Sequence, residues 1–306
     1  MGTLNPSLDQ ATLLTFEKNF YKLAQQKDTK LLNTPAIKFM DIKGISNVSR
    51  MGTVDLVEVT GQKNPEKQYT QMTNDNRKSK ARRFTRTFLF DNYDKAINFI
   101  TDPTSDLFEQ LNNAKKRTTD KVIVEAAVGN VIIGGPESAG TSITAAADGV
   151  LTITGTSNFN YTSVIVPAIR NYINGDVDTT GGLTFALTGS EHESFMNDDK
   201  YINSLYSKAN PVDNGEIKNA SGLQLVKFAG TDNGVITVPN PILPEAGGVR
   251  SNVILSPNSI GFAMEVGKLS CDPSAKHVNS WEVTIDVYFK AVRLEGKLVQ
   301  IVTSTI

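Results

Sequence analysis

The sequence predicts an α+β fold, and three stretches carry that prediction. DPTSDLFEQLNNAKKRTTDKVIVEAAV, Asp102 to Val128, has the start, stripe and stop of one long helix. Trp281, Val283, Ile285, Val287, Phe289 and Ala291 alternate without a break with Glu282, Thr284, Asp286, Tyr288 and Lys290, as in a half-buried strand. Met51 to Phe90 reads as two extended segments joined by a long polar connection. A long rod behind an extended hairpin suits a part that contacts neighbours better than it suits an enzyme.

Ser7-Leu8-Asp9-Gln10 is a capping box that opens a helix to about Gln26, with Leu13, Phe16, Phe20, Leu23 and Ala24 on its apolar face. That face either packs in a core or lies as an arm on another surface, and the hydrophilic QQKDTK behind it favours the arm. From Met51 to Gly61, Val54, Leu56, Val57 and Val59 are interleaved with charge; the return strand is Arg82 to Phe90, with Phe84, Phe88 and Phe90 on one face. Between them QKNPEKQYTQMTNDNRKSKA holds little core-forming matter beyond Tyr69 and Met72. Loops of this kind in compact domains are usually functional or mobile, and two such strands need a partner surface. Arg77, Lys78, Lys80, Arg82, Arg83 and Arg86 make this the most basic region of the chain. It is either a contact for a neighbour's acidic face or phosphate, or simply a solvated loop.

In the rod, Asp102 is a good N-cap and Pro103 suits the first helical position, where its missing N–H costs nothing. Leu107, Leu111, Ala114, Thr118, Val122 and Ala126 form one mostly apolar stripe, and Gly129-Asn130 should close the helix in a left-handed conformation. Its length is roughly 40 Å at helical rise. Val131 to Gly155 then reads as an edge hairpin or insertion. A second helix spans Thr162 to Asn174 and ends at Gly175; Pro167 requires that it start near Val166 or kink. Leu183 to Leu187 is a short buried strand, Ser190 caps a helix EHESFMND, GLQLVKFAG is an apolar run, and Ser251 to Ser256 is a strand. Ser259 to Val266 reads as a short helix. Glu295-Gly296-Lys297 turns the last hairpin, so that Leu298 to Ile306 returns along the alternating strand.

Composition narrows the function. The chain has 306 residues, 39% hydrophobic and 21% charged, with a formal net charge of −1, an ordinary globular balance for one large domain or two smaller ones. Near-neutral charge argues against a dedicated nucleic-acid binder. One cysteine, Cys271, excludes an internal disulfide framework and fits a reducing compartment. The first residues, MGTLNPSLDQ, lack a basic n-region and an apolar h-region, and no apolar run approaches the ~18 residues of a membrane span, so neither a signal peptide nor a membrane partner is expected.

Catalytic motifs are thin. His192 and His277 stand far apart, neither in HExxH nor beside a cysteine pair, so no metal site is expected. GxSxG is absent. Gly135-Pro136-Glu137-Ser138-Ala139-Gly140-Thr141 has the glycine spacing of a phosphate loop, but Thr141 stands where the lysine must be, so no nucleotide cofactor is expected. His192, between Glu191 and Glu193, reads as a solvated helix end, and Asp198-Asp199 and Glu216 are too ordinary to carry a metal.

The order of parts, with DNYDKAINFITDPTSDLFEQLNNAKKRTTDKVIVEAA and SNVILSPNSIGFAMEVGK within it, resembles the major capsid proteins of tailed bacteriophages, the Hong Kong 97-type fold. The resemblance implies an N-terminal arm at 1–50 and an extended E-loop at 51–90. It implies a peripheral (P) domain at 91–175 and 269–306, with the long helix as its spine, and an axial (A) domain at 176–268. It also implies a shell of pentamers and hexamers of this chain around double-stranded DNA, assembled in the host bacterial cytoplasm and found in the virion, with a portal. Some relatives carry a built-in N-terminal scaffolding segment; only the short arm precedes the hairpin here, so a separate scaffolding protein is implied. Near-neutral charge suits a wall that encloses DNA without gripping it. On this reading the E-loop basics meet acidic residues of an adjacent spine, such as Asp106, Glu109 or Asp120. An encapsulin-like compartment shell is the same-fold alternative, and an enzyme with an unrecognised site is the alternative from another class.

Overall fold

The computed structural model describes residues 25–43, 46–52, 54, 56, 58, 74–91, 104–134, 139–154, 159–198, 219–220, 222–231, 238 and 240–306. The arm helix (apart from Gln25 and Gln26), the first part of the polar connection, the Asp102-Pro103 cap and the Asn210-Pro211 loop lie outside them. The first elements are β1 (Ile37–Phe39), β2 (Ser46–Met51), β3 (Asn74–Ser79), β4 (Arg82–Asp91), α1 (Thr104–Val128), β5 (Val131–Ile133), β6 (Thr141–Ile143) and β7 (Leu151–Thr154). There follow α2 (Val166–Asn174), β8 (Leu183–Thr188), α3 (Gly189–Met196), β9 (Asn219–Ala220), β10 (Leu223–Phe228), β11 (Glu245–Ala246) and β12 (Val249–Leu255). Two long strands, β13 (Ile260–Pro273) and β14 (Ser280–Arg293), precede the last strand, β15 (Val299–Thr305). The chain divides into two compact units, residues 1–29, 82–120 and 264–289, and residues 30–81, 121–263 and 290–306.

In the first unit β4 runs antiparallel to β14, from Ser280↔Asp91 to Phe289↔Arg82. The return strand thus takes the alternating strand as a partner; much of the segment after Met51, with which a hairpin is expected, lies outside the described residues. The pairing sets Phe84 and Phe88 beside Val287 and Val283, and Phe84 meets Phe289 edge-on at 5.4 Å. Alternation explains the choice, because β14 offers a continuous apolar face over the whole length of β4. The first part of α1 is tied to the chain before it: Gln25 donates to Gln110 at 2.6 Å, and Lys116 donates to Lys27 O and Asp28 at 2.8 and 2.7 Å.

The second unit holds a seven-stranded sheet of order β7-β15-β12-β8-β10-β9, with β11 on β12. Strand β15 pairs antiparallel with β12 over seven residues and parallel with β7. So the last two strands do not pair: Gly296–Leu298 forms a 3₁₀ turn that passes the chain from one sheet to another. Leu183–Thr188 is buried throughout, as its apolar run predicts. Helix α2 begins at Val166 with Pro167 in its first turn, after a π-turn over Tyr161–Ile165 capped by Asn160, which resolves the proline's position. Ala168, Tyr172, Phe159, Phe185, Phe195 and Ile254 share one core, with Tyr172 Oη donating to Ile254 O at 2.9 Å. The cap of α3 is Thr188, two residues before the expected Ser190.

Ser259 to Val266 is not helical. Ile260 opens β13, which pairs with β1 in parallel register (Ile37↔Ile260) and with β14. Its apolar residues fit either period over so short a run, and pairing with β1, far away in sequence, and with the following strand β14 decides it. A smaller sheet has the order β2-β3-β5-β6; β7 belongs to the larger one, so Val131 to Gly155 is no single hairpin. Strand β2 lies upstream of the expected one, and Gly52, Val54, Leu56 and Glu58 are outside any strand. Helix α1 runs to Val128, as predicted. Gly129 closes it without a positive φ; its N–H donates to Glu125 O at 2.8 Å, and an added Cβ would sit 2.6 Å from that oxygen. Close approach, not handedness, selects glycine there.

Candidate assembly interface

The basic residues divide by position. Lys80, Arg82, Arg83 and Arg86 are exposed, Lys78 is half-buried, and Arg77 is fully buried. On β4 the exposed cations differ in their surroundings. Arg83 holds Asp286 through Nε and Nη2 at 2.8–3.0 Å, and this carboxylate keeps the guanidinium above its ordinary pKa. Arg82 lies over the Phe84 ring, 5.5 Å from its centre. At the end of β2 and just after it stand three exposed apolar residues, Met51, Val54 and Leu56, the last with its whole side chain in solvent.

Arg77 is instead buried within the second unit, to which it belongs. Both of its terminal nitrogens bond Asp148, one at 2.9 Å, and Nη1 also donates to Arg293 O at 2.8 Å. Arg293, equally buried, donates from Nε to the same carboxylate at 2.8 Å, and from Nη1 to Ala127 O and Gly129 O at 2.6 and 3.0 Å. One carboxylate therefore serves two guanidinia, and the carbonyl end of α1 supplies partial negative charge to Arg293. Burial pushes the Arg293 pKa below its ordinary value, with Asp148 opposing and Arg77 adding to the shift.

A second buried network ties α3 to the large sheet. Arg250 Nη1 donates to Glu191, Thr188 and Ser190 at 2.7, 2.7 and 3.0 Å, and its Nε donates to Glu245 at 2.9 Å. Ser304 adds a 2.6 Å bond to Glu191. Burial by itself raises the pKa of Glu191, but the hydrogen bonds of Ser304 and Thr188 and the charge of Arg250 more than reverse this; Glu245 is lowered in the same way through Thr231 and Arg250. Both carboxylates thus hold a folded pKa below their unfolded one. Their contribution is whole above the ordinary glutamate range of about 4.3 and is lost as pH falls through the lowered values. The melting temperature should be flat from pH 7 to 5 and fall steeply below pH 4, and less steeply in Glu191→Gln, a contrast that a pH series of thermal melts checks.

The expected solvated pair around His192 is corrected on one side, because Glu191 is buried and Glu193 exposed. Asp198 accepts from Tyr161 N at 2.7 Å. No cluster of three or more potential metal ligands occurs among the described residues. An open depression of about 790 Å³, lined by Asn33, Thr34, Gly181, Gly182, Gly222 and Gln224 among others, has no titratable side chain among its described lining residues. Among the described residues no helix is long and apolar enough to cross a membrane.

A family model for phage capsid proteins matches residues 8–304. The chain belongs to that family. No curated protein sequence matches it. A structure from Mycobacterium phage Che8 is similar with a TM-score of 0.66 at 11% identity, covering 94% of this chain and 95% of that one. The head structure of Helicobacter pylori bacteriophage KHP40 gives 0.68 at 10%, covering 95% and 94%. The capsid of cyanophage Pam1 gives 0.67 at 12%, with 94% of each chain covered. The fold is the Hong Kong 97-type capsid fold, and the protein is a major capsid protein, a structural subunit that self-associates into the shell of the virion.

For a capsid protein the informative features are surfaces, and sequence reading missed the two charge clusters beneath them. Asp148, Arg293 and Arg250 sit on no motif. The one signal available was position: Arg293 continues the buried end of β14, and Arg250 falls inside the apolar run of β12, where a charge must be paired.

Proposed function

We propose that this capsid protein joins its neighbours through the segment 51–90 acting as an E-loop, inside the division stated above: arm 1–50, P domain 91–175 with 269–306, and A domain 176–268. The single observation that carries the reading is the exposed apolar series Met51, Val54 and Leu56, followed in the chain by exposed Lys80, Arg82 and Arg86. A series of large, exposed apolar side chains marks a surface that another chain covers. A hairpin reaching onto a neighbour adds contact area without enlarging the core, and heterologous contacts repeated about an axis close into rings of five and six.

Within that reading the acidic counterparts are Asp106 and Glu109 of an adjacent spine. Asp120 is a weaker counterpart, being buried and accepting a hydrogen bond from Gln26 of its own chain. Arg77 serves inside the subunit. The shell encloses double-stranded DNA without sequence-specific contact, forms in the host bacterial cytoplasm, and uses a portal and a separate scaffolding protein. The test is Arg82→Glu with Arg86→Glu, leaving Arg83 in place because Asp286 needs it. Shell yield should collapse while the circular dichroism and melting temperature of the subunit stay within a degree or two, as surface substitutions usually allow. Normal shells would overturn the interface.

A further inference from the structure

We infer that Asp148 is a positioning residue for assembly: with Arg77 and Arg293 it locks the β2–β3 hairpin stem at one angle to the rest of the second unit, to which the stem belongs. The attachment is otherwise narrow. Strand β2 pairs only with β3 in the described sheet, and β3 pairs with β5 at just Arg77↔Ile133 and Lys78↔Ile132. Two single bonds supplement this, Gly134 N to Asn76 O at 3.0 Å and Ser79 Oγ to Ala291 O at 3.2 Å. Such a short ladder leaves a stem free to twist and swing.

Arg77 removes that freedom. It lies in the middle of β3, opposite Val48 of β2, and its planar fork grips Asp148 with two bonds while Nη1 also reaches Arg293 O. A bidentate guanidinium–carboxylate pair fixes direction as well as distance. Asp148 is in turn held from two sides. The turn that carries it closes through Asp148 N to Thr144 O and Val150 N to Ala145 O, both at 3.0 Å, and Gly296 packs so closely that an added Cβ would overlap Asp148 O. Arg293 anchors the same carboxylate to the end of α1. The stem is therefore referenced, through one carboxylate, to the spine helix and to the long strand β14.

The charge count makes the lock one-sided. With Asp148 ionised the cluster holds one negative and two positive groups, and Arg77 Nε and Arg293 Nη2 have no hydrogen-bond partner among the described residues. Taking away the carboxylate leaves two buried guanidinia repelling each other across the joint between stem and unit. Asp148→Asn, almost isosteric, converts the lock into a joint that pushes apart, while the large sheet keeps all its own contacts. Because the connection from Met51 to Asn74 begins and ends on the stem, with exposed Met51, Val54 and Leu56 at its start, the stem's angle decides whether neighbours meet at one curvature. This step rests on the interface reading proposed above.

The experiment is hydrogen–deuterium exchange on the full-length subunit, kept below its assembly concentration, followed by assembly and electron microscopy. In Asp148→Asn the amides of 46–51 and 74–79 should exchange roughly a hundredfold faster or more, the loss expected when a buried pair is broken, with β8 and β12 unchanged. Assembly should then yield open sheets and shells of mixed diameter. Arg77→Lys, which keeps the charge and loses the fork, should show the same direction with a smaller change. Unchanged stem exchange overturns the lock, and uniform acceleration across β8 and β12 reduces Asp148 to a general stabiliser and overturns its positioning role. The Arg82→Glu, Arg86→Glu variant separates the two readings. If it assembles normally, the interface fails whatever Asp148 does; if it fails to assemble while Asp148→Asn builds uniform shells, only the lock fails.

Discussion

Arg250→Met lowers the stability of the subunit by about 3–5 kcal/mol, the loss expected when one partner of a buried ionic network is removed. The size follows from what is left behind. Glu191 and Glu245 both face Arg250, and Glu191 is 3% exposed, so its carboxylate cannot recover its lost partner from water. Methionine fills most of the volume but offers no donor to either carboxylate, nor to Thr188 and Ser190. Chemical denaturation at pH 7 measures the loss. Adding Glu191→Gln to Arg250→Met should restore part of it, because removing the stranded charge removes most of the penalty. A double variant no better than Arg250→Met alone would mean that the network acts by packing instead of charge.

Phe185→Ala is the second large effect, again about 3–5 kcal/mol, the usual range for truncating a fully buried aromatic side chain. Phe185 sits on β8, the strand flanked by both β12 and β10, and is wholly buried. Its ring stacks on Phe159 at 5.9 Å and meets Phe195 of α3 edge-on at 6.2 Å. The cavity would open where the strand, the helix after it and the loop before α2 converge, so little nearby can collapse into it. Phe185→Leu should recover about half of the loss in the same denaturation series.

The parts of the fold that the sequence announces are those with local causes. The spine helix is set by its own stripe and its glycine stop, and α1 indeed reaches Val128. The strands β8, β10 and β12 follow from apolar runs between turn residues. Pairing is another matter. Periodicity shows that Arg82 to Phe90 and Trp281 to Ala291 are strands, but both are satisfied by any partner with a matching face, and only the assembled sheet joins them to each other. The segment after Pro257 misleads for a related reason: its conformation is imposed by pairing with β1, distant in sequence, and with β14, the strand that follows it. The basic cluster was visible as composition, yet composition does not tell a buried arginine from an exposed one. Arg77 differs from Arg86 only in that β3 turns it towards Asp148, a residue on an Ala-rich turn with no motif to flag it.

Electron microscopy of the purified protein, alone and with a co-encoded scaffolding candidate, tests most directly whether this chain builds a phage shell. Closed shells, or rings of five and six subunits, are the predicted result. A monodisperse monomer in both preparations at every concentration and salt would contradict it.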